Sequence, residues 1–171
     1  MVTAQITHAI DAQWLNVPFV RLGDVPHHLP TPNLYVTILD DEEPLLRADV
    51  YDDSRPRVRE AVVWQNWVVV GYGSELYLIN WITRELRTVH LGYFFNYLYP
   101  SDSYLLATSD EGMICLDPSG HVRWSLENLA LDGVVVNEVI IDTIFAEGEW
   151  DPPGGWISFQ VSLATGSLLN S

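Results

Sequence analysis

The sequence contains no lysine. All eight basic residues are arginines, set against 23 Asp and Glu, for a formal net charge of −15. The absence excludes a lysine Schiff base and a phosphate-binding lysine of the Walker type. Scarcity of positive charge also argues against nucleic-acid binding, where Lys and Arg neutralise phosphates and supply most of the non-specific affinity. Cysteine is nearly missing: Cys115 is alone and cannot form an internal disulfide, in keeping with a reducing compartment. No apolar run approaches the ~20 residues needed to cross a bilayer. The N-terminal stretch MVTAQITHAIDAQWL lacks both the basic n-region and the continuous apolar h-region of a signal peptide. These absences together predict a cytoplasmic, bacterial-type protein with no membrane attachment.

What remains is the composition of a folded protein: 48% hydrophobic against 18% charged residues over 171 positions. That length predicts a single domain, residues 1–171, with a core large enough to need no metal or disulfide. An acidic excess of this size serves solubility, or docks a basic partner.

Residues 1–32 are the least legible part. Ile6, Ile10 and Trp14 fit one face of a short helix, whereas the alternation Ile6, His8, Ile10 fits a strand. Pro18, Pro26, Pro30 and Pro32 break any long element, and His27-His28 falls in a loop among them. From 33 to 171 the reading is consecutive β-hairpins. Asn33–Leu39 and Leu45–Tyr51 are strands around the acidic turn Asp40-Asp41-Glu42-Glu43-Pro44, and Asp52 to Pro56 turns again. Arg55, Arg57 and Arg59 share one face if that segment is extended. Ala61–Tyr72 folds about a tight turn at Gln65-Asn66. Further strands are predicted at 76–80, 86–90, 104–108, 113–117 and 121–124. Gly133–Val136 and Val139–Phe145 are expected to turn at Asn137-Glu138.

Three of these hairpins end alike. Tyr77-Leu78-Ile79-Asn80 turns through Trp81 to Arg84. Ile114-Cys115-Leu116-Asp117 turns through Pro118-Ser119-Gly120. Phe159-Gln160-Val161-Ser162 turns through Leu163-Ala164-Thr165-Gly166. A short polar side chain at the strand end bonds the turn's own backbone, and glycine tolerates positive φ. The spacing is 37 positions from Asn80 to Asp117 and 45 from Asp117 to Ser162, close to the ~40–50-residue period of β-propeller repeats. The endings resemble the blade hairpins of WD40-like and quinoprotein-like propellers. That resemblance implies an all-β, mostly antiparallel fold of at most four blades: an open or incomplete propeller-like array, or a two-sheet β-protein. The segment GEWDPPGGW, residues 148–156, also resembles a stretch in small uncharacterised bacterial proteins, a family that brings no activity with it.

The long loop of the third hairpin carries the leading ligand candidates. Glu147, Glu149 and Asp151 alternate beside Trp150 and Trp156. Aromatic faces stack on sugar rings and carboxylates accept hydroxyl hydrogen bonds, so a carbohydrate or other small ligand fits. A glycoside hydrolase would in addition need two carboxyls ~5 Å or ~6.5–9.5 Å apart across a cleft. The competing reading has the two tryptophans cap the core while Pro152-Pro153-Gly154-Gly155 sets a turn. Neither Asp40–Glu43 nor the 147–151 set has the spacing of a calcium loop, and the five histidines show no zincin pair, so neither metal nor cofactor is expected. Cys115, between Ile114 and Leu116, reads as a buried structural thiol. Tyr93–Tyr99 packs five aromatics into seven residues and predicts core, with an aromatic interface or self-association as the alternative.

No catalytic residue is recognisable. The functional expectation is a non-catalytic acidic interaction protein that neutralises a basic protein partner, as immunity proteins do. The alternative is carbohydrate binding through the Glu147–Trp156 loop. Sheet edges or the Tyr93–Tyr99 patch offer a route to a homo-oligomer.

Overall fold

β-Branched and aromatic runs separated by short polar turns give sixteen strands in the described residues of the computed structural model, 1–24 and 31–170. They form four sheets of four strands. The first contains β1 (Val2–Thr7), β2 (Phe19–Gly23), β3 (Leu34–Asp40) and β4 (Glu43–Tyr51), in the order β1-β3-β4-β2. The second runs in chain order through β5 (Arg59–Trp64), β6 (Trp67–Tyr72), β7 (Glu75–Asn80) and β8 (Leu86–His90). The third holds β9 (Phe95–Pro100), β10 (Leu105–Ser109), β11 (Met113–Leu116) and β12 (Val122–Leu126). The fourth holds β13 (Val134–Ile140), β14 (Thr143–Glu149), β15 (Trp156–Ser162) and β16 (Leu168–Asn170). Every pairing is antiparallel except β2 with β4.

The protein is all-β, as expected, and the four sheets stand in a row. One apolar layer lies between the first and second sheets, around Leu34, Val36, Ile38, Val68, Val70 and Ile79. A second joins the second and third through Trp67, Leu76, Leu78, Phe95, Leu105 and Leu116. A third joins the third and fourth through Leu106, Met113, Trp124, Val134, Ile144 and Val161. The leading strands β1, β5, β9 and β13 meet one another in sequence along the row. This is a blade-like array, and among the described residues it forms no closed barrel.

The repeated turns lock one sheet to the next. Asn80 Oδ1 accepts the N–H of Ile82 and Thr83, and Asp117 Oδ1 accepts those of Ser119 and His121. Arg84 N, Gly120 N and Gly166 N donate to the carbonyls of Asn80, Asp117 and Ser162, and all three donor residues have positive φ. In the third and fourth sheets the glycine lies against a tryptophan of the preceding sheet. A Cβ on Gly120 would sit 3.0 Å from Trp67, and one on Gly166 2.7 Å from Trp124. Trp124 Nε1 donates to Leu163 O at 2.8 Å, and Trp64 Nε1 to Ser101 O at 2.6 Å. Arg87 stacks on Trp67 and donates to Ser119 O.

The outer face of the first sheet has its own cover. Arg47 and Asp49 alternate with the core residues Leu46, Ala48 and Val50, so they point away from the second sheet, yet both are buried. The chain between β1 and β2 crosses them, with a 3-10 turn at Ala12–Trp14 and Trp14 buried. Arg47 Nε lies 2.6 Å from Asp49 Oδ1, Nη2 lies 3.1 Å from Oδ2, and Nη1 donates to Trp14 O at 2.9 Å. Phe19 stacks on the same guanidinium.

Several expectations change here. The ambiguous N-terminal stretch is a strand over Val2–Thr7 and a 3-10 turn, not a longer helix. His27-His28 lies outside the described residues. The acidic turn is shorter than expected, because Glu43 and Pro44 already pair with Asp40 and Leu39 in β4. Arg55 has φ 49, which breaks the extended run that would align it with Arg57 and Arg59. Asn137-Glu138 is no turn: β13 continues through a bulge there and turns at Ile141-Asp142. A bulge inserts one residue and tolerates polar side chains within a strand, and this mimics a turn in sequence. The Tyr93–Tyr99 cluster splits, with Phe95 and Leu98 buried and Tyr93, Phe94 and Tyr97 exposed.

Two outcomes follow from this packing. Gly92 has φ +80, and a Cβ there would meet nothing within 4 Å, whereas Gly166 has φ +72 and faces Trp124. Gly92→Ala should therefore cost about 1–2 kcal/mol, the left-handed penalty alone. Gly166→Ala should cost about 1–3 kcal/mol more, from overpacking. Denaturant unfolding of both variants tests this, and equal costs would show that the turn–tryptophan contact does not brace the sheets. For the buried pair, Arg47→Met should destabilise by about 3–5 kcal/mol, because Asp49 is left as an uncompensated charge. Adding Asp49→Leu should recover much of the loss. A double variant no more stable than Arg47→Met would mean that the Trp14 tether, rather than the ion pair, dominates.

Candidate functional site

By register, the connections between successive sheets, 52–58, 91–94 and 127–133, emerge at one end of the row together with the turns at 73–74, 110–112 and 150–155. The repeated Asn80, Asp117 and Ser162 turns occupy the other. The loop end carries the two larger clefts.

The first cleft, about 560 Å³, opens between the first and second sheets and is lined by Gly23, Asp24, Asn33, Tyr51, Asp52, Asp53, Ser54, Ser74, Glu75, Tyr77 and Thr88. Among the described residues, four carboxylates and no basic side chain line it. Backbone demands hold these groups in place. Asn33 Oδ1 accepts Asp52 N–H at 2.8 Å while its Nδ2 donates to Asp53 Oδ1 at 3.3 Å. Asp52 Oδ1 accepts Ser54 N–H at 2.8 Å. Asp52 Oδ2 lies over Gly73, where a Cβ would come within 2.5 Å of it. Gly23 has φ +81, and a Cβ there would collide with the Tyr51 carbonyl and approach the Tyr77 hydroxyl to 3.3 Å. Glycine is required at both positions by conformation and by space. Glu75 Oε1 and His90 Nδ1 lie 2.7 Å apart at the outer lip. Burial, followed by the charges of Asp52, Glu75 and Asp24, pushes the Tyr77 phenol far up, so it stays protonated at all ordinary pH.

A second cleft, about 530 Å³, shares Ser54 as a wall and lies between the second and third sheets. Arg55, Arg57, Phe94, Asn96, Asp110 and Asp132 line it. Burial pushes the Asp110 carboxyl up, the nearby Asp132 adds to the effect, and Asn96 and Arg57 oppose it. This cleft is mixed in charge where the first is uniformly acidic. A third hollow of about 300 Å³ lies on the fourth sheet, by Asn137, Glu138, Phe145, Ser158 and Gln160. Among the described residues, no three His, Cys, Asp or Glu side chains converge closely enough to hold a metal ion.

No family model matches the chain, and no curated sequence is significantly similar to it.

The residues singled out in sequence sit at the loop end of the fourth sheet and line none of these three clefts. Glu147 and Glu149 share a face of β14, opposite Ser158 and Trp156. Glu147 Oε1 accepts the Ser158 hydroxyl at 3.0 Å, and Glu149 Oε1 accepts Gly154 N–H at 2.5 Å. Trp150 N–H donates to Gly155 O and Gly155 N–H to Asp151 O, closing the loop on itself. Both carboxylates of the strand are thus engaged in holding the hairpin, while Trp150 and Trp156 stay 38% and 43% exposed. The acidic cleft escaped sequence reasoning because its lining comes from separate stretches, 23–24, 33, 51–54, 74–77 and 88. The doubled carboxylate Asp52-Asp53 was its one local signal.

Cys115 is fully buried in β11, and burial pushes its thiol up to about 11. The thiolate fraction at neutral pH is therefore small and sealed from solvent. Iodoacetamide should leave native Cys115 unmodified over hours at pH 7.5 and label it rapidly in denaturant. Fast labelling of the native protein would reveal an opening of the third sheet and make the thiol a candidate nucleophile.

Proposed function

We propose that the protein is a non-catalytic binding protein that docks a basic protein partner at its loop end, an immunity-like role in which acidic surface neutralises basic surface. The observation that carries this reading is the cleft lined, among the described residues, by Asp24, Asp52, Asp53 and Glu75 without a basic side chain. Like charges held in a concave site repel one another, and a partner's cation relieves that repulsion. A unit pair at ~4 Å is worth about 1 kcal/mol in bulk water and about 4 kcal/mol at an effective dielectric of 20. The net charge of −15 extends the same field beyond the cleft and speeds encounter with a cationic surface. Carbohydrate binding draws support from the exposed Trp150 and Trp156, but Glu147 and Glu149 are engaged by Ser158 and Gly154. No helix of the described residues is long and apolar enough to cross a membrane.

The test is co-purification with a basic protein followed by a salt series. Affinity should fall by at least tenfold between about 50 and 500 mM NaCl, as the Debye length shrinks. Asp52→Asn with Asp53→Asn should weaken binding, while Glu85→Gln at the opposite end should not. An affinity indifferent to both salt and loop-end charge would overturn the proposal.

A further inference from the structure

The acidic cleft contains one group that its carboxylates do not explain. Tyr77 is 2% exposed, and its hydroxyl makes no hydrogen bond among the described residues although Asp24, Asp52 and Glu75 all act on it. The hydroxyl is not sealed away, since the side-chain polar atom both fully buried and unpartnered is Thr108 Oγ1. It lines the cleft and reaches its open space. Among the described residues the phenol oxygen has no partner, so it offers a hydrogen-bonding position to whatever enters the cleft.

The chemistry of that occupant is narrow. The carboxylates each keep capacity to accept: Asp52 uses Oδ1 for Ser54 N–H, and Glu75 uses Oε1 for His90. They do not converge on a point, because no three of them can share a metal ion. A compact cation would satisfy one or two and leave the others. A guanidinium is planar, stays charged, and spreads five donors over a rigid fork, so it can serve separated acceptors at once.

We propose that the cleft receives an arginine side chain of the partner. The guanidinium is held by Asp24, Asp52 and Glu75, with Tyr77 Oη accepting one N–H. The inference rests on the partner reading for the source of the arginine, whereas the recognition chemistry of the cleft stands separately.

The experiment titrates N-acetyl-arginine-methylamide into the 15N-labelled full chain at low salt, with the capped citrulline and lysine compounds in parallel. Saturable shifts are expected at the amides of Gly23, Gly73 and Ser74. Citrulline should give none, and lysine should bind several-fold more weakly. Tyr77→Phe keeps the ring and removes the hydroxyl, and should weaken arginine binding roughly tenfold. Glu75→Gln should do likewise without touching the Asp52 turn, which guards against a variant that fails to fold. Equal responses to arginine and citrulline, shifts elsewhere only, or unchanged binding by both variants would overturn the proposal. Capped arginine binding without any basic protein partner would retain the cleft's role and remove the docking reading. A basic protein that binds Tyr77→Phe and Glu75→Gln as tightly as the original chain would do the reverse.

Discussion

A sheet with two apolar faces has to be covered on both, and this requirement organises the molecule. β6, β10 and β11 are buried along their whole length, because the second and third sheets each lie between two others. Their sequences are correspondingly continuous: WVVVGY, LLATS and MICL carry no polar alternation, as strands buried on both faces do. The end sheets meet the requirement differently. The first puts Arg47 and Asp49 on its outer face and covers them with Trp14. The fourth alternates. Val134, Val136, Ile144, Ala146 and Val161 face inward, while Thr143, Glu147, Ser158 and Gln160 face out. Repeat arrays generally need such modified ends, since each interior unit relies on its neighbours for cover.

Much of this was legible because β-structure writes its periodicity into short windows. Continuous runs against alternating ones, glycine or asparagine at turn positions, and the Asn80, Asp117 and Ser162 endings located three sheets. The outer strands of the first sheet, β1 and β2, were illegible, and for β2 the reason is physical. That strand pairs parallel with β4 and is reached by a crossover, so no hairpin turn marks it, and prolines interrupt the stretch. The false turn at Asn137-Glu138 has an equally local cause, since a bulge and a turn both place polar residues between apolar runs. Arg47 and Asp49 read as ordinary surface charge in a strand, and nothing in the sequence says that a segment some thirty residues earlier will cover them.

The candidate site was less legible than the fold. Sequence reasoning favours groups that are neighbours along the chain, which drew attention to Glu147, Glu149, Trp150, Asp151 and Trp156. In the folded chain the two strand carboxylates are engaged by the hairpin they belong to. The acidic cleft instead gathers groups from the ends of different strands, where a concave surface arises from the splay between two sheets.

The reason that so much negative charge collects there lies in the exceptional strand pair. Antiparallel neighbours leave a sheet at opposite ends, whereas parallel neighbours leave it at the same end. β2 and β4 run parallel, with Gly23 beside Tyr51. The chain therefore exits twice, side by side, and the residues after each strand are Asp24 and Asp52-Asp53. Gly23, in the left-handed region, lets the first exit pass the Tyr51 carbonyl and leaves the Tyr77 hydroxyl facing open space. Glu75 is added because the β6–β7 turn of the second sheet lies at that same end. Had β2 paired antiparallel, its carboxylate would have emerged at the far end, beside the acidic turn at Asp41-Glu42. The irregularity that hid β2 in the sequence is thus what builds the cleft.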